Sequence, residues 1–128
     1  GALEIGGKTI AVLATGLDRA HPETHASLQA EIVHRGGLLL SEYPLGTPVS
    51  KHRLIARDRI QAALGDELLI IECDRSSGTM HTVRFAERCH RPIFALPYPS
   101  YPTSAEGNEL LLRSGRALAY TPPPFDSE

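Results

Sequence analysis

The chain has 128 residues, of which 41% are hydrophobic and 22% charged, with a formal net charge of −2. That length suits one domain with a real hydrophobic core, and the charge excludes indiscriminate affinity for nucleic acid over the whole surface. No apolar run approaches a bilayer span and no basic-then-apolar leader is visible, so a cytoplasmic location without a membrane partner is expected.

In chain order, residues 1–5 read as the last turn of a helix closed by Gly6 and Gly7. Residues 9–14 form a continuous β-friendly run that ends at Thr15 and Gly16. Residues 21–35 predict a helix with Pro22 and Glu23 in its first turn. Leu28, Ile32 and Val33 stand near i, i+4 spacing, and Gly36 with Gly37 stops it. A strand follows at 38–40, then a helix at 51–64 with Leu54, Ile55, Ala62 and Ala63 as inward positions. A strand at 68–71 leads to a helix at 79–90, with Met80, Val83 and Ala86 or Phe85 inward. Residues 93–96 predict a strand and 108–114 a short helix, with Gly107 and Asn108 as its N-cap pair and Gly115 as its stop. Residues 118–120 suit a last edge strand. The Pro-rich, acidic segment 121–128 is expected to be a disordered end or the start of a linker beyond a domain of residues 1–120.

Hydrophobicity that is continuous rather than alternating marks strands covered on both faces, as in a parallel sheet. The alternation of such strands with helices predicts an α/β fold with right-handed crossovers. Ligands in such folds sit beyond the carboxyl ends of the strands, where residues 15–18, 41–44, 72–79 and 97 onward are expected to gather. A sheet made only of these strands would have an unprotected side, and the chain reads as though something preceded it.

Two features point to an anionic ligand. The helix at 51–64 opens with Lys51, His52 and Arg53 and continues with Arg57 and Arg59, and Asp58 is the lone acid among residues 51–61. Arg53 and Arg57, four apart, share a face. The second feature is the turn Ser76-Ser77-Gly78-Thr79, which follows a strand and opens a helix, where hydroxyls and free backbone N–H groups can meet an anion. Phosphate fits both, as a nucleotide or as a nucleic-acid backbone. The GxxxxGK[ST] and GxGxxG signatures are absent, so neither a P-loop NTPase nor a nicotinamide-dependent dehydrogenase is expected, and no cofactor. Acid–base candidates near strand ends are Ser41, Glu42, Glu72, Asp74 and His81. They form no nucleophile elbow or HExxH site, so a non-enzymatic protein without a metal is expected. Cys73 and Cys89 read as packed thiols.

Several segments, taken in order, carry a family resemblance: GALEIGGKTIAVLATGLD at 1–18, HRGGLLLSEYPLGTP at 34–48, RDRI at 57–60, LLIIEC and SSGTMHTVRFA within 68–86, RPIFALP at 91–97 and GNELLLRSG at 107–115. The series resembles the Rossmann-like domain of the DprA/Smf DNA-processing family over nearly the whole chain. That resemblance implies a Rossmann-like three-layer sandwich with a mostly parallel sheet, incomplete at its N-terminal side. It also implies single-stranded DNA binding in DNA processing and natural transformation, action with the RecA recombinase, and a homodimer. By the same resemblance Lys51, Arg53, Arg57 and Arg59 contact phosphates, with His52 beside them, and Ser77, Gly78 and Thr79 line the same mouth.

The chain departs from the family pattern in three ways. Leu54 stands where an aromatic residue is usual, so the expected base-stacking platform is missing, and Asp58 stands where Asn is usual. The family's earlier strands with their Gly-Ser-Arg loop, and its C-terminal winged-helix-like domain, are outside this sequence. The expectation is a fragment of a longer protein or a shortened relative that completes its sheet through a partner chain. The alternative is a nucleotide or nucleotide-derivative binding domain, a LOG-like sensor or hydrolase, favoured by the net charge, Leu54 and Asp58. The absence of a PGGxGTxxE motif counts against the hydrolase.

Overall fold

The computed structural model describes residues 1–122 and divides into two compact units, Gly1–Ile60 and Gln61–Glu128. Of the tail expected at 121–128, residues 123–128 lie outside the described residues.

The first unit opens with a 3-10 turn, Ala2–Ile5, closed by Gly6 at φ 72°. Strand β1 (Ile10–Leu13) pairs in parallel with β2 (Leu38–Ser41), Ile10 opposite Leu38 and Leu13 opposite Ser41. Between them the chain turns through a 3-10 segment, Glu23–His25, and continues as helix α1 (Ala26–His34). The predicted helix is therefore present but its first turn is 3-10, with Pro22 at the cap position. Of its three predicted inward residues only Ile32 is buried; Leu28 and Val33 are exposed and are not inward positions. Helix α2 (Lys51–Leu64) has the predicted bounds and carries the chain across the division at Ile60. Ser50 sets its start, since the Ser50 hydroxyl accepts the Arg53 N–H at 3.2 Å. Leu54 and Ile55 are half-buried, Ala62 is buried and Ala63 is exposed, so Ala63 is not an inward position; Asp58 is buried instead.

The second unit holds three parallel strands in the order β3 (Leu68–Ile70), β4 (Ile93–Ala95) and β5 (Leu118–Ala119). Ile71, Leu96 and Tyr120, predicted as strand, fall just past the ends; the Leu96 N–H still reaches Ile70 O at 2.9 Å and the Tyr120 N–H reaches Ala95 O at 2.9 Å. Helix α3 (Thr79–Arg88) buries the predicted Met80, Val83 and Ala86 with Ile70, Ile93, Ala95 and Leu111 in one core, and Thr82, which was not predicted to face inward, is buried as well. Val83 and Leu111 are fully enclosed.

Helix α4 (Glu106–Arg113) is preceded by a 3-10 turn, Thr103–Ala105, which winds the chain before the predicted start. Gly107 and Asn108 are therefore inside the helix rather than capping it, and both are buried. The N-cap position is Ala105, which makes no side-chain cap. Gly107 lies against the chain beyond β3: its N–H donates to Cys73 O at 2.8 Å, and a Cβ there would stand 2.6 Å from that oxygen.

Three helices end in the same way. Gly36 (φ 76°), His90 (φ 53°) and Gly115 (φ 71°) are left-handed, and the next residue's N–H bonds back to Ile32 O, Ala86 O and Leu111 O. This is the six-residue closure that satisfies a helix's last carbonyls. Two glycines adopt it without steric cost, while at the end of α3 a histidine takes the same conformation.

Candidate functional site

The start of α2 concentrates positive charge where a helix least favours it. Lys51, His52 and Arg53 occupy the first turn and no acidic residue accompanies them, so the cations meet the positive end of the helix dipole. Lys51 and His52 are exposed. Among the described residues neither has a hydrogen bond or ion pair.

The three arginines behave differently, each held by its own unit. Arg53 Nη1 donates to Pro48 O at 2.8 Å, and its guanidinium lies 5.5 Å from the centre of the Tyr43 ring. Arg57 Nη1 donates to Val12 O at 2.8 Å and its Nε to Asp58 Oδ1 at 3.1 Å. Arg59 pairs with Glu42. The buried Asp58 carboxylate thus has Arg57 as a partner, which offsets the repulsion it would otherwise exert on an approaching anion. Tyr43 is the aromatic of this region; nothing local in the sequence ties it to a residue ten positions on.

Beyond the carboxyl ends of β1 and β2 two loops close on each other. The Gly16 N–H donates to Thr47 O at 3.0 Å, the Ser41 hydroxyl to Thr15 O at 2.6 Å, and the Gly46 N–H to Asp18 Oδ1 at 2.8 Å. A Cβ on Gly16 would stand 2.5 Å from Pro44 O, so this approach requires glycine. Beside it opens a cleft of about 500 Å³ lined by Thr15, Arg19, His21, Glu23, Pro48 and Val49, among others. Residues 15–18 were expected on this side; Arg19 and His21 carry no sequence pattern that would have singled them out.

In the second unit the turn before α3 is largely self-satisfied. The Ser77 hydroxyl accepts the Thr79 N–H at 3.2 Å and donates to Thr79 Oγ1 at 3.1 Å. Gly78 is the N-cap residue, without a side-chain cap. The Met80 and His81 N–H groups bond to Ser77 O and Gly78 O, and the Ser76 N–H to Asp74 Oδ1 at 2.6 Å. Of the N–H groups expected to be free in the turn Ser76-Ser77-Gly78-Thr79, those of Ser76, Ser77 and Thr79 are therefore already used. Hydrogen bonds from Ser76, side chain first and then backbone, hold the Asp74 carboxyl below its ordinary range. Lys51, His52, Arg53, Arg57 and Arg59 thus belong to the first unit, and Ser77, Gly78 and Thr79 to the second.

The remaining acid–base candidates have structural company: Glu42 with Arg59, Asp74 with Ser76, and Glu72 beside Tyr98. Desolvation, and then the Glu72 charge, raise the Tyr98 phenol. Among the described residues no group of three His, Cys, Asp or Glu side chains could hold a metal ion. None of the described helices is long and apolar enough to cross a membrane.

A family model for DNA recombination-mediator protein A matches residues 1–123. The chain is 38% identical over 121 residues to protein Smf of Escherichia coli (strain K12), covering 94% of this chain and 32% of that protein. It superposes on the X-ray structure of DNA processing protein A (DprA) from Streptococcus pneumoniae with a TM-score of 0.84 and 36% identity, over 94% of this chain and 42% of that one. It also matches DNA processing protein A from Helicobacter pylori, a structure described for its unique single-stranded DNA binding mode. The TM-score there is 0.76 and the identity 32%, over 86% of this chain and 50% of that one. The chain spans about a third of the length of Smf and half or less of the two solved chains. Its α/β architecture with parallel sheets matches the Rossmann-like domain of these proteins. By both sequence and fold, this chain belongs to the DNA recombination-mediator protein A family, that of the DprA and Smf proteins.

Proposed function

We propose that this chain is a non-enzymatic binder of single-stranded DNA that engages the phosphate backbone with the start of α2. Lys51, His52 and Arg53 meet the strand first, Arg57 and Arg59 add to that face, and the turn Ser77-Gly78-Thr79 contributes in the second unit. In this reading it acts in DNA processing and natural transformation, with a RecA-type recombinase as partner and as a homodimer. The observation that carries the reading is the likeness to the Helicobacter pylori protein, described by its single-stranded DNA binding mode and 32% identical over 86% of this chain. The acid-free first turn of α2 supports it, because a helix gains nothing for its own stability from three basic residues there.

Fluorescence anisotropy with labelled oligo-dT tests it. Affinity is expected to fall as salt rises and to drop when Lys51, Arg57 and Arg59 are replaced by Ala. A folded sample that does not bind oligo-dT at low salt overturns the proposal.

A second reading, a nucleotide or nucleotide-derivative binding domain of the LOG kind, is favoured by the cleft of about 500 Å³, a volume that suits a small molecule. Stabilisation by a mononucleotide in thermal melting, with no effect of oligo-dT, would favour it over the first.

A further inference from the structure

We propose that Tyr98 and Tyr101, in the loop after β4, form a stacking platform for the bases of a single strand. The proposal rests on the reading of the chain as a single-stranded DNA binder, and it adds a contact made to bases rather than to phosphates. Its starting point is how the chain uses its few rings. Phe85 packs against the core of the second unit, Phe94 and Tyr120 meet edge to face at 6.4 Å, and Tyr43 lies under the Arg53 guanidinium. Among the described residues, Tyr98 and Tyr101 have only each other as ring partners, with centroids 5.8 Å apart and planes at 61°.

An edge-to-face pair leaves aromatic surface over. The ring that offers its edge keeps both faces clear of its partner, and the other ring keeps one. Both side chains are half-buried, and the neighbouring Ile71, Pro97, Pro99, Ser100 and Pro102 are exposed. The rings are also held before any ligand arrives. The Tyr98 phenol donates to Ile71 O at 3.0 Å, which anchors that ring at the end of β3. Each tyrosine directly precedes a proline, which confines its backbone to extended conformations. Aromatic surface fixed in this way loses little freedom on binding.

Charge decides which part of a strand fits here. No Lys, Arg or His occurs between Arg91 and Arg113, and the Glu72 carboxylate lies beside the Tyr98 phenol. A phosphate gains nothing at such a surface, whereas an uncharged base gains by stacking, whatever its identity. The platform therefore adds affinity without releasing counterions, unlike a contact between a cation and a phosphate. Its loop follows β4 as the turn Ser76-Ser77-Gly78-Thr79 follows β3, the parallel neighbour, so both leave the same end of that sheet.

The test uses the full chain, labelled oligo-dT and a labelled abasic strand of the same length, read by anisotropy over a range of salt. Tyr101→Leu removes the ring but keeps apolar bulk, Tyr101→Phe keeps the ring, and melting temperatures confirm that both fold. Tyr101→Leu is expected to weaken oligo-dT binding about tenfold with the salt slope unchanged, and to bind the abasic strand as the unmodified chain does. Tyr101→Phe should stay within about twofold of the unmodified chain on both strands. The chain has no Trp, so Tyr101→Trp supplies a lone indole whose fluorescence oligo-dT should quench and the abasic strand should not. If the unmodified chain binds oligo-dT and Tyr101→Leu binds it within about twofold, the platform is wrong while the DNA reading stands. An equal loss on the abasic strand, or an unquenched indole in a complex that forms, overturns the platform in the same way. If the unmodified chain does not bind oligo-dT at low salt, the DNA reading fails and takes the platform with it.

Discussion

The carboxamide of Asn108 grips the main chain at Cys73: Asn108 Oδ1 accepts the Cys73 N–H at 2.9 Å, in a position with no solvent exposure. The same side chain's Nδ2 donates to Ile71 O at 2.8 Å and Leu96 O at 3.1 Å. One amide thus ties α4 to the chain leaving β3 and β4, satisfying backbone groups that the short strands leave over. Replacing Asn108 with Ala strands those groups in a dry site, and a loss of about 3 kcal/mol is expected in urea unfolding. Asn108→Asp keeps the acceptor but loses the donors and buries a charge, so it should be no better. A loss under about 1 kcal/mol for the Ala variant would show that water replaces the amide readily.

The left-handed His90 makes an opposite prediction. It occupies the place that Gly36 and Gly115 hold in the other two closures, at φ 53°. His90→Gly removes the crowding of a Cβ at positive φ, against the extra freedom that glycine gains in the unfolded chain. The balance favours the variant by about 0.5 kcal/mol, read as a raised midpoint in thermal melting. A lowered midpoint would mean that the imidazole contributes more than its backbone strain costs.

Glu87 and Arg116 form a two-pronged pair, with Arg116 Nε and Nη2 donating to the two carboxylate oxygens at 2.7 and 3.0 Å. The hydrogen bond from Arg116, more than the Coulomb attraction, pulls the Glu87 carboxyl below its ordinary value of 4.5. Because the folded value is the lower one, the pair's contribution is complete above the unfolded value and is lost as pH falls through the folded one. Stability should therefore drop below about pH 4.5 in the parent chain. Glu87→Gln should abolish that part of the drop, at a cost near neutral pH of about 0.5–1 kcal/mol for a pair this exposed. Urea titrations at pH 3.5 and 7 on both proteins measure it.

Lys51 and Arg57 should separate binding from folding. Lys51 is exposed and unengaged among the described residues, so Lys51→Ala is expected to leave melting unchanged while weakening oligo-dT binding and reducing its salt slope by about one unit or less. Arg57→Ala also removes a donor to Val12 O and a partner of the buried Asp58, so it should cost about 1–3 kcal/mol of stability besides any affinity. Equal effects of the two on stability would contradict the structure.

Much of the fold was legible because its signals are local. Unbroken apolar runs announced the strands, and the Gly36-Gly37 and Gly115 stops ended two helices where expected. The bounds of α2 were readable to the residue because Ser50 caps it and Gly65 follows it. The family was legible from the order of its motifs. What stayed hidden depends on distant partners. Asn108 looked like a cap because a Gly-Asn pair before a leucine run reads the same whether the amide turns to its own helix or into a core. Arg57 and Val12 lie 45 positions apart, and no pattern within α2 shows that its arginines are already engaged. Arg19 looked unremarkable for the converse reason: alone among the arginines of the first unit, its side chain has no hydrogen bond or ion pair among the described residues.

The engagement of those arginines changes what a polyanion would meet. When a phosphate takes Arg59, it leaves Glu42 without its counter-charge, and that carboxylate must collect a cation from solution. The exchange returns part of the ions that the nucleic acid sheds, so the net release per contact falls short of the roughly 0.7 ions expected for each phosphate neutralised on a single strand. If it binds a strand, a surface built this way would hold it less by the crowd of ions it expels than by how well each guanidinium trades one oxygen for another. Its affinity would still fall as salt rises, but by less than its number of arginines suggests.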